Sequence, residues 1–335
     1  MSKADSVFCG MCHNILWNGV STEGEKVRPK WEDGEFAYTK KVFGVVNRYD
    51  LSKEFPILTI RPVPIRLCTD EILWIYSRKS NVVSELNSGI WDSWKTDDGT
   101  IGDAYGYQIG KVSMYRDITI DGLKKAFPNG VLKEHYEEEF LGGYSCFCDE
   151  VYERDYGCPI YHVVDLDDDG FWFMDQMDRV LYDLVNTPFS RRIITNMYNH
   201  SELFNMALYP CAYSMTFNVT TDIDGKFVLN GILNQRSQDV LVANGWNVAQ
   251  YAVLMHMIAR HCDMGVGELV HVIADAHIYD RHIHIIRELI GRKQYDAPKF
   301  YLNPNKKDFY SFTVEDVKLV DYKHGEQILH IPVAV

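Results

Sequence analysis

The stretch from Ala212 to Gln235 constrains this chain most. Ala212-Tyr213-Ser214-Met215-Thr216-Phe217-Asn218-Val219 is rich in aromatic and β-branched residues, Thr221-Asp222-Ile223-Asp224-Gly225 has turn chemistry, and Phe227 to Gln235 returns as a second strand-like run. A hairpin of this kind brings the residues at its open end together. Those residues are Cys211, which follows Tyr209-Pro210, and Gln235-Arg236-Ser237-Gln238-Asp239. A sulfur nucleophile is therefore expected beside an anion-binding guanidinium, and such a neighbour lowers a thiol pKa by favouring the thiolate. Taken alone, the pair is more often a core thiol and a surface charge, because free cysteine is among the most buried residue types.

The 335 residues are 46% hydrophobic without a long apolar run, which suits a globular chain with one large core or two smaller ones and argues against a membrane protein. Met1 to Val7 is short and polar and lacks the apolar stretch of a secretion signal, so a cytoplasmic setting is expected. A net charge of −13 argues against general nucleic-acid binding, DNA included, but leaves room for a small anion held by a few arginines. The eight cysteines read as reduced thiols. Cys9-Gly10-Met11-Cys12-His13 has the outline of a redox or metal motif, yet Cys9, Cys12, Ile15 and Leu16 fit one face of an opening helix. Cys146, Cys148 and Cys158, with His135 and His162 nearby, could staple an excursion around zinc. Only one tight pair of ligands is present, so no metal site is assigned.

No repeat, low-complexity tract or Pro/Gly-rich linker divides the chain, which reads as one domain over 1–335 with an insertion at about 112–171. The insertion carries the acidic runs Glu137-Glu138-Glu139 and Asp165 to Asp169, which suit a solvated face. It is expected to be a peripheral elaboration over the mouth of a site or a dimer edge. Arg66 to Ser80 is helix-like, with Leu67, Ile72, Leu73 and Ile75 as its apolar stripe, and Glu71 lies on that helix. A second helix is predicted to run to about Asn186, and a third over Asn247 to Cys262, with Val248, Tyr251, Ala252, Met255, Ile258 and Ala259 on its core stripe. Strand-like and helical segments alternate along the chain.

Several motifs, in order and in spacing, resemble the thymidylate synthase family. They are Ser190-Arg191-Arg192, Ala207-Leu208-Tyr209-Pro210-Cys211, Gln235-Arg236-Ser237-x-Asp239, Asn247 and Asp275-Ala276-His277-Ile278-Tyr279. Val27-Arg28-Pro29-Lys30-Trp31 is similar to the phosphate-arginine loop of a bacterial and phage branch of that family. Asp70-Glu71-Ile72-Leu73-Trp74, Ile90-Trp91-Asp92-Ser93-Trp94, Gly102-Asp103-Ala104-Tyr105-Gly106 and the tail Pro332-Val333-Ala334-Val335 extend the likeness. Only the stretch from about Val112 to Phe171 finds no counterpart.

The resemblance implies an α/β (α+β) fold, a twisted mixed sheet with helices on one face, the bare face meeting a second copy in a homodimer. It implies reductive methylation of deoxyuridylate (dUMP), with 5,10-methylenetetrahydrofolate as donor of carbon and hydride. Cys211 would add to the pyrimidine as covalent catalyst. Arg236, Ser237, Gln235 and Arg28 would hold the nucleotide and its phosphate, and Arg191 and Arg192 would reach the phosphate in the partner's site. Asn247 would read the uracil edge, since its amide can donate to O4 and accept from N3–H. His277 and Tyr279, two apart on an extended segment, would hold the ribose 3′-hydroxyl. Glu71 and Tyr105 would move protons with the help of water. Asp239 would bind the pterin, Trp91 and Trp94 would wall the folate, and Val335 would close as a lid.

The match departs from the family at Ala212, at Ala274 and most at Val242-Ala243-Asn244-Gly245-Trp246-Asn247, where a Gly-x-Pro-Phe-Asn loop is usual. These residues surround the base and bear on the last step. The competing readings are a hydroxymethylase that adds water at carbon 5 of the same nucleotide, and a silent nucleotide-binding homologue.

Overall fold

The structure, a computed structural model, describes residues 2–141, 144–154, 159–163 and 170–335, without the side chains of 135–140 and 144–147. Its centre is a mixed sheet. The strands run in the order Val20–Ser21, Thr39–Asp50, Gly265–Tyr279, Phe227–Gln235, Ala212–Thr221 and Ile194–Asn196, and the short Gln238–Asp239 also pairs with Gly265–Tyr279. The hairpin read from sequence forms as expected, and its register sets Gln235 opposite Ala212. The strand Phe227–Gln235 lies parallel to Gly265–Tyr279, so the crossover between them must pass through a helix.

That crossover is the helix Asn244–His261, which packs on both of those strands. It begins three residues ahead of the predicted start at Asn247. No side chain caps it, so the sequence carries no start signal there. Gly245 is needed at its first turn: a Cβ would come within 2.8 Å of Leu58 Cδ1 and 3.2 Å of Val63 Cγ2. The helix is buried nearly all round, as expected of one wedged between a sheet and the second helix Ile65–Tyr76. The opening helix Lys3–Asn18 packs on Thr39–Asp50 and buries Cys9, Cys12 and Ile15 together.

Among the described residues, the other face of the sheet leaves several large apolar side chains exposed. Along one row Ile194, Thr216, Ile232, Val270 and Arg48 face the same way. Ile194 is 49% exposed and Ile232 is 40% exposed, and Val46 on the neighbouring row is 55% exposed.

The segment at about 112–171 forms a second sheet, antiparallel throughout, in the order Ser113–Tyr115, Phe171–Met174, Ile160–Val163, Tyr144–Glu153 and Val131–Leu141. Leu141, Cys148 and Phe173 make a small core of its own. Its inner residues Tyr152, Ile160, Trp172 and Met174 join the main core. Beside them Arg154 is buried and its guanidinium lies 2.6 Å from Asp178, which also accepts from the Tyr310 hydroxyl at 2.6 Å. Lys79, itself buried, pairs with Asp175, the residue that caps the helix Gln176–Asn186. Among the described residues no group of three metal-ligating side chains gathers. Cys158 and the acidic run Asp165 to Asp169 lie outside the described residues, as do the side chains of His135, Cys146 and Glu137-Glu138-Glu139.

Candidate active site

The open end of the hairpin places Cys211 and Arg236 in contact, with a guanidinium nitrogen 3.5 Å from Sγ. The same guanidinium donates to the carbonyls of Tyr209 (2.6 Å) and Pro210 (3.1 Å), which fixes it against the loop that carries the cysteine. Tyr105 approaches from below, its hydroxyl accepting the Cys211 amide at 3.1 Å. Burial pushes the Cys211 thiol up, and the opposing pull of Arg236 and Arg28 does not overcome it. The neighbouring guanidinium does pull the thiol down as expected, but desolvation is the larger effect and the net shift is upward.

Arg28 is exposed on its loop, near enough for its charge to act on both Cys211 and Tyr279. Ser237 is half-buried in the turn after Arg236. His277 and Tyr279 share one side of their strand with rings 5.1 Å apart, and His277 Nδ1 lies 2.8 Å from Asp275. Arg191 and Arg192 do not join this group within the chain. Both are exposed beside the bare face of the sheet, and neither makes an ion pair among the described residues.

A chain of amides runs below the cysteine. Gln235 donates to Asn247 Oδ1 (3.2 Å), Asn247 donates to Gln250 Oε1 (3.2 Å), and Gln250 donates to Glu71 Oε2 (2.8 Å). His271, buried and neutral because burial drops its pKa to about 3, donates from Nε2 to Gln235 Oε1 at 2.8 Å. Every amide in the chain is thus oriented, and Asn247 keeps one N–H and one oxygen lone pair unspent.

Glu71 is 5% exposed and is far from a solvated helix position. The indoles of Trp91 (2.9 Å) and Trp246 (2.5 Å) donate to its two oxygens, with Gln250 as the third donor. Burial nevertheless carries its pKa to about 7. Trp91 is buried too, edge-on to Tyr105 at 5.0 Å and to the half-buried Trp94 at 5.8 Å.

Asp239 lies in the short strand after Arg236, with Oδ1 accepting the amides of Leu241 (3.0 Å) and Val242 (3.2 Å). Val335 comes back to this side of the molecule: Lys30 N–H donates to its carbonyl (2.8 Å) and its own N–H to the Lys30 carbonyl (3.0 Å). The tail is thereby joined to the loop that carries Arg28. Sequence reasoning missed Gln250, Trp246 as a donor and His271. Gln250 lies off the apolar stripe of its helix, and nothing nearby in sequence signals its partner.

No helix among the described residues is long and apolar enough to cross a membrane. The thymidylate synthase family model matches residues 6–335. The chain is 36% identical to thymidylate synthase 1 of Bacillus spizizenii and to the thymidylate synthase of Bacillus phage phi3T, in each case over 333 residues and 98% of both chains. It superposes on the thermostable thymidylate synthase A from Bacillus subtilis with a TM-score of 0.76 at 36% identity, covering 99% of each chain. Sequence, fold and the arrangement around Cys211 agree, and the chain belongs to the thymidylate synthase family.

Proposed function

We propose that this chain converts deoxyuridylate to thymidylate, drawing both carbon and hydride from 5,10-methylenetetrahydrofolate. The observation that carries the reading is Cys211 Sγ at 3.5 Å from Arg236, with Tyr105 feeling both that thiol and the buried Glu71 carboxyl, whose pKa is about 7. An anionic nucleotide that enters beside Arg236 and Arg28 orders the guanidinium charge around the thiol, and the thiolate adds to carbon 6 of the base. That addition puts electron density on carbon 5, which attacks the folate methylene. The methylene's bond to N10 opens as carbon 5 attacks; loss of the carbon 5 proton then breaks its bond to N5, releasing tetrahydrofolate and leaving an exocyclic methylene, and hydride transfer from tetrahydrofolate to that methylene with departure of Cys211 yields thymidylate and dihydrofolate.

Each neighbour has work that its geometry suits. Arg236, Arg28 and Ser237 hold the phosphate, with Gln235 below the base, and His277 and Tyr279 take the ribose hydroxyl. Asn247 spends its remaining N–H on O4 and its remaining lone pair on N3–H, a pattern that cytosine reverses. Glu71 and Tyr105 are placed to relay protons. Asp239, Trp91 and Trp94 receive the pterin, and the tail ending at Val335 keeps water out. The apolar bare face suits a second copy of this chain, with Arg191 and Arg192 lent to the neighbour's phosphate.

The test is turnover of purified protein with deoxyuridylate and the folate, followed by product mass and dihydrofolate absorbance. Methylated nucleotide with one dihydrofolate per turnover is expected. A hydroxymethyl product without dihydrofolate would replace the synthase reading by the hydroxymethylase one, and no turnover at all would favour the silent homologue.

A further inference from the structure

His282, fully buried in the turn after the strand Gly265–Tyr279, has no part in the chemistry above. Its ring stands between two pieces of the site. Nε2 lies 2.8 Å from the carbonyl oxygen of Pro332, in the tail, and Nδ1 lies 3.6 Å from Oδ1 of Asp239. A carbonyl can only accept, so Nε2 carries a hydrogen. In a neutral ring Nδ1 would then turn a bare lone pair toward a carboxylate. A second proton on the ring changes that repulsion into attraction.

We propose that His282 is a positioning residue that holds the tail down as an imidazolium clamped between the Pro332 carbonyl and Asp239, so that closing the tail takes up a proton. The proposal rests on the folate reading of Asp239 only for its effect on catalysis. The groups around the ring agree with it. Asp239 and Asp280 are the carboxylates that act on it. Trp31 and Tyr279 offer ring contacts at 5.6 Å each. The Trp31 indole N–H is taken by Asp280 at 3.1 Å, and Arg281 lies over the Trp31 ring while pairing with Asp33. Arg61 offsets part of the Asp239 charge. Burial pulls the proton affinity of His282 down, but Asp239, the Pro332 carbonyl and Asp280 together carry it above that of a free histidine.

The sign follows from linkage. Of the groups that raise the proton affinity of the ring, the Pro332 carbonyl is the one that leaves with the tail, so docking adds its share to the ring's proton affinity, is strongest below the ordinary histidine pKa of about 6.5 and weakens as pH climbs through the raised value. Hydrogen exchange at the Lys30 and Val335 amides, which bond across the tail bridge, reads docking without any ligand. After correction for intrinsic exchange, their protection in the wild-type chain should fall about five- to tenfold between about pH 6 and pH 9. In His282→Gln, which keeps one N–H for Pro332, it should stay flat. Protection that is flat in the wild type, or falls equally in both, overturns the proposal. Nitrogen chemical shifts of the His282 ring provide a readout that needs no variant. Two protonated nitrogens are expected at the acid end of the range, with the second proton lost at higher pH than from an exposed histidine of the same chain, and loss at or below that pH would also overturn it. If exchange behaves as stated, the folate KM of the wild type should rise with pH while that of His282→Gln does not. A pH-independent folate KM beside pH-dependent exchange would instead count against the assigned folate site.

Discussion

Three N–H donors around a carboxylate ordinarily hold it ionised, yet the burial of Glu71 outweighs Trp91, Trp246 and Gln250 and leaves it near pH 7. Its folded pKa is raised, so the stability it lends as a neutral acid is complete below its ordinary value and is lost as pH rises through about 7. Glu71→Gln should therefore melt no lower than the wild type at alkaline pH, while turnover falls by ~10²- to 10⁴-fold. Calorimetry and steady-state rates check the two halves, and an unchanged rate would remove Glu71 from proton transfer. The raised thiol of Cys211 gives a second expectation: added deoxyuridylate should quicken alkylation of Cys211 only where the reagent still reaches it, whereas Cys211→Ser should bind nucleotide and turn over at ~10⁻³ of the wild-type rate or less. Gln250 sets a third. Gln250→Leu leaves one N–H of Asn247 without its acceptor and frees the amide to turn over, so preference for deoxyuridylate over deoxycytidylate should drop by about 10- to 100-fold, the cost of one misplaced buried polar group. Competition kinetics with the two nucleotides would show it. At this scale the contact of Cys211 with Arg236 was legible because a hairpin brings together the residues at its open end, whereas Asn247 was picked out only through the family resemblance. Gln250 was not, since its partner Glu71 is 179 residues away and only the packing of two helices brings them together.

Elements explain why those contacts last. The helices Ile65–Tyr76 and Asn244–His261 lie side by side, and a carboxyl on one meets an amide and an indole on the other. Apolar periodicity identified both helices, but periodicity carries no capping information where no side chain caps, which is why the start of Asn244–His261 was misplaced. The second sheet is tied to this framework by charge as well as by packing. Arg154 from the inserted segment, Asp178 from the helix Gln176–Asn186, Lys79 beyond the end of Ile65–Tyr76 and Tyr310 from the C-terminal third close one buried network. Removing one partner strands the others without solvent. Asp178→Asn should cost about 3–5 kcal/mol and lower the melting temperature, and pairing it with Arg154→Met should recover part of that loss. Additive losses in the double variant would show that the two charges are not coupled.

Across the whole molecule, one face of the central sheet is left bare while a pair of exposed arginines stands beside it without an ion pair among the described residues. Isoleucine and valine at 40–55% exposure over several strands are costly in water, and burying them against a second copy would recover roughly 25 cal/mol for each Å² covered. The proposed dimer lends Arg191 and Arg192 of one chain to the neighbour's phosphate site, and that proposal can be tested. If the site is built from two chains, its residues should complement across chains. Arg191→Ala with Arg192→Ala in one chain spoils the partner's phosphate site, whereas Cys211→Ser spoils only its own. Each homodimer should be nearly inactive. Unfolding and refolding an equal mixture gives half heterodimers, each with one site that has both an intact cysteine and both arginines, so about a quarter of wild-type turnover should return. Activity that stays at the level of the separate variants would mean that every site is complete within one chain, and Ile232→Arg, which should break the pair into monomers, would then leave the rate untouched.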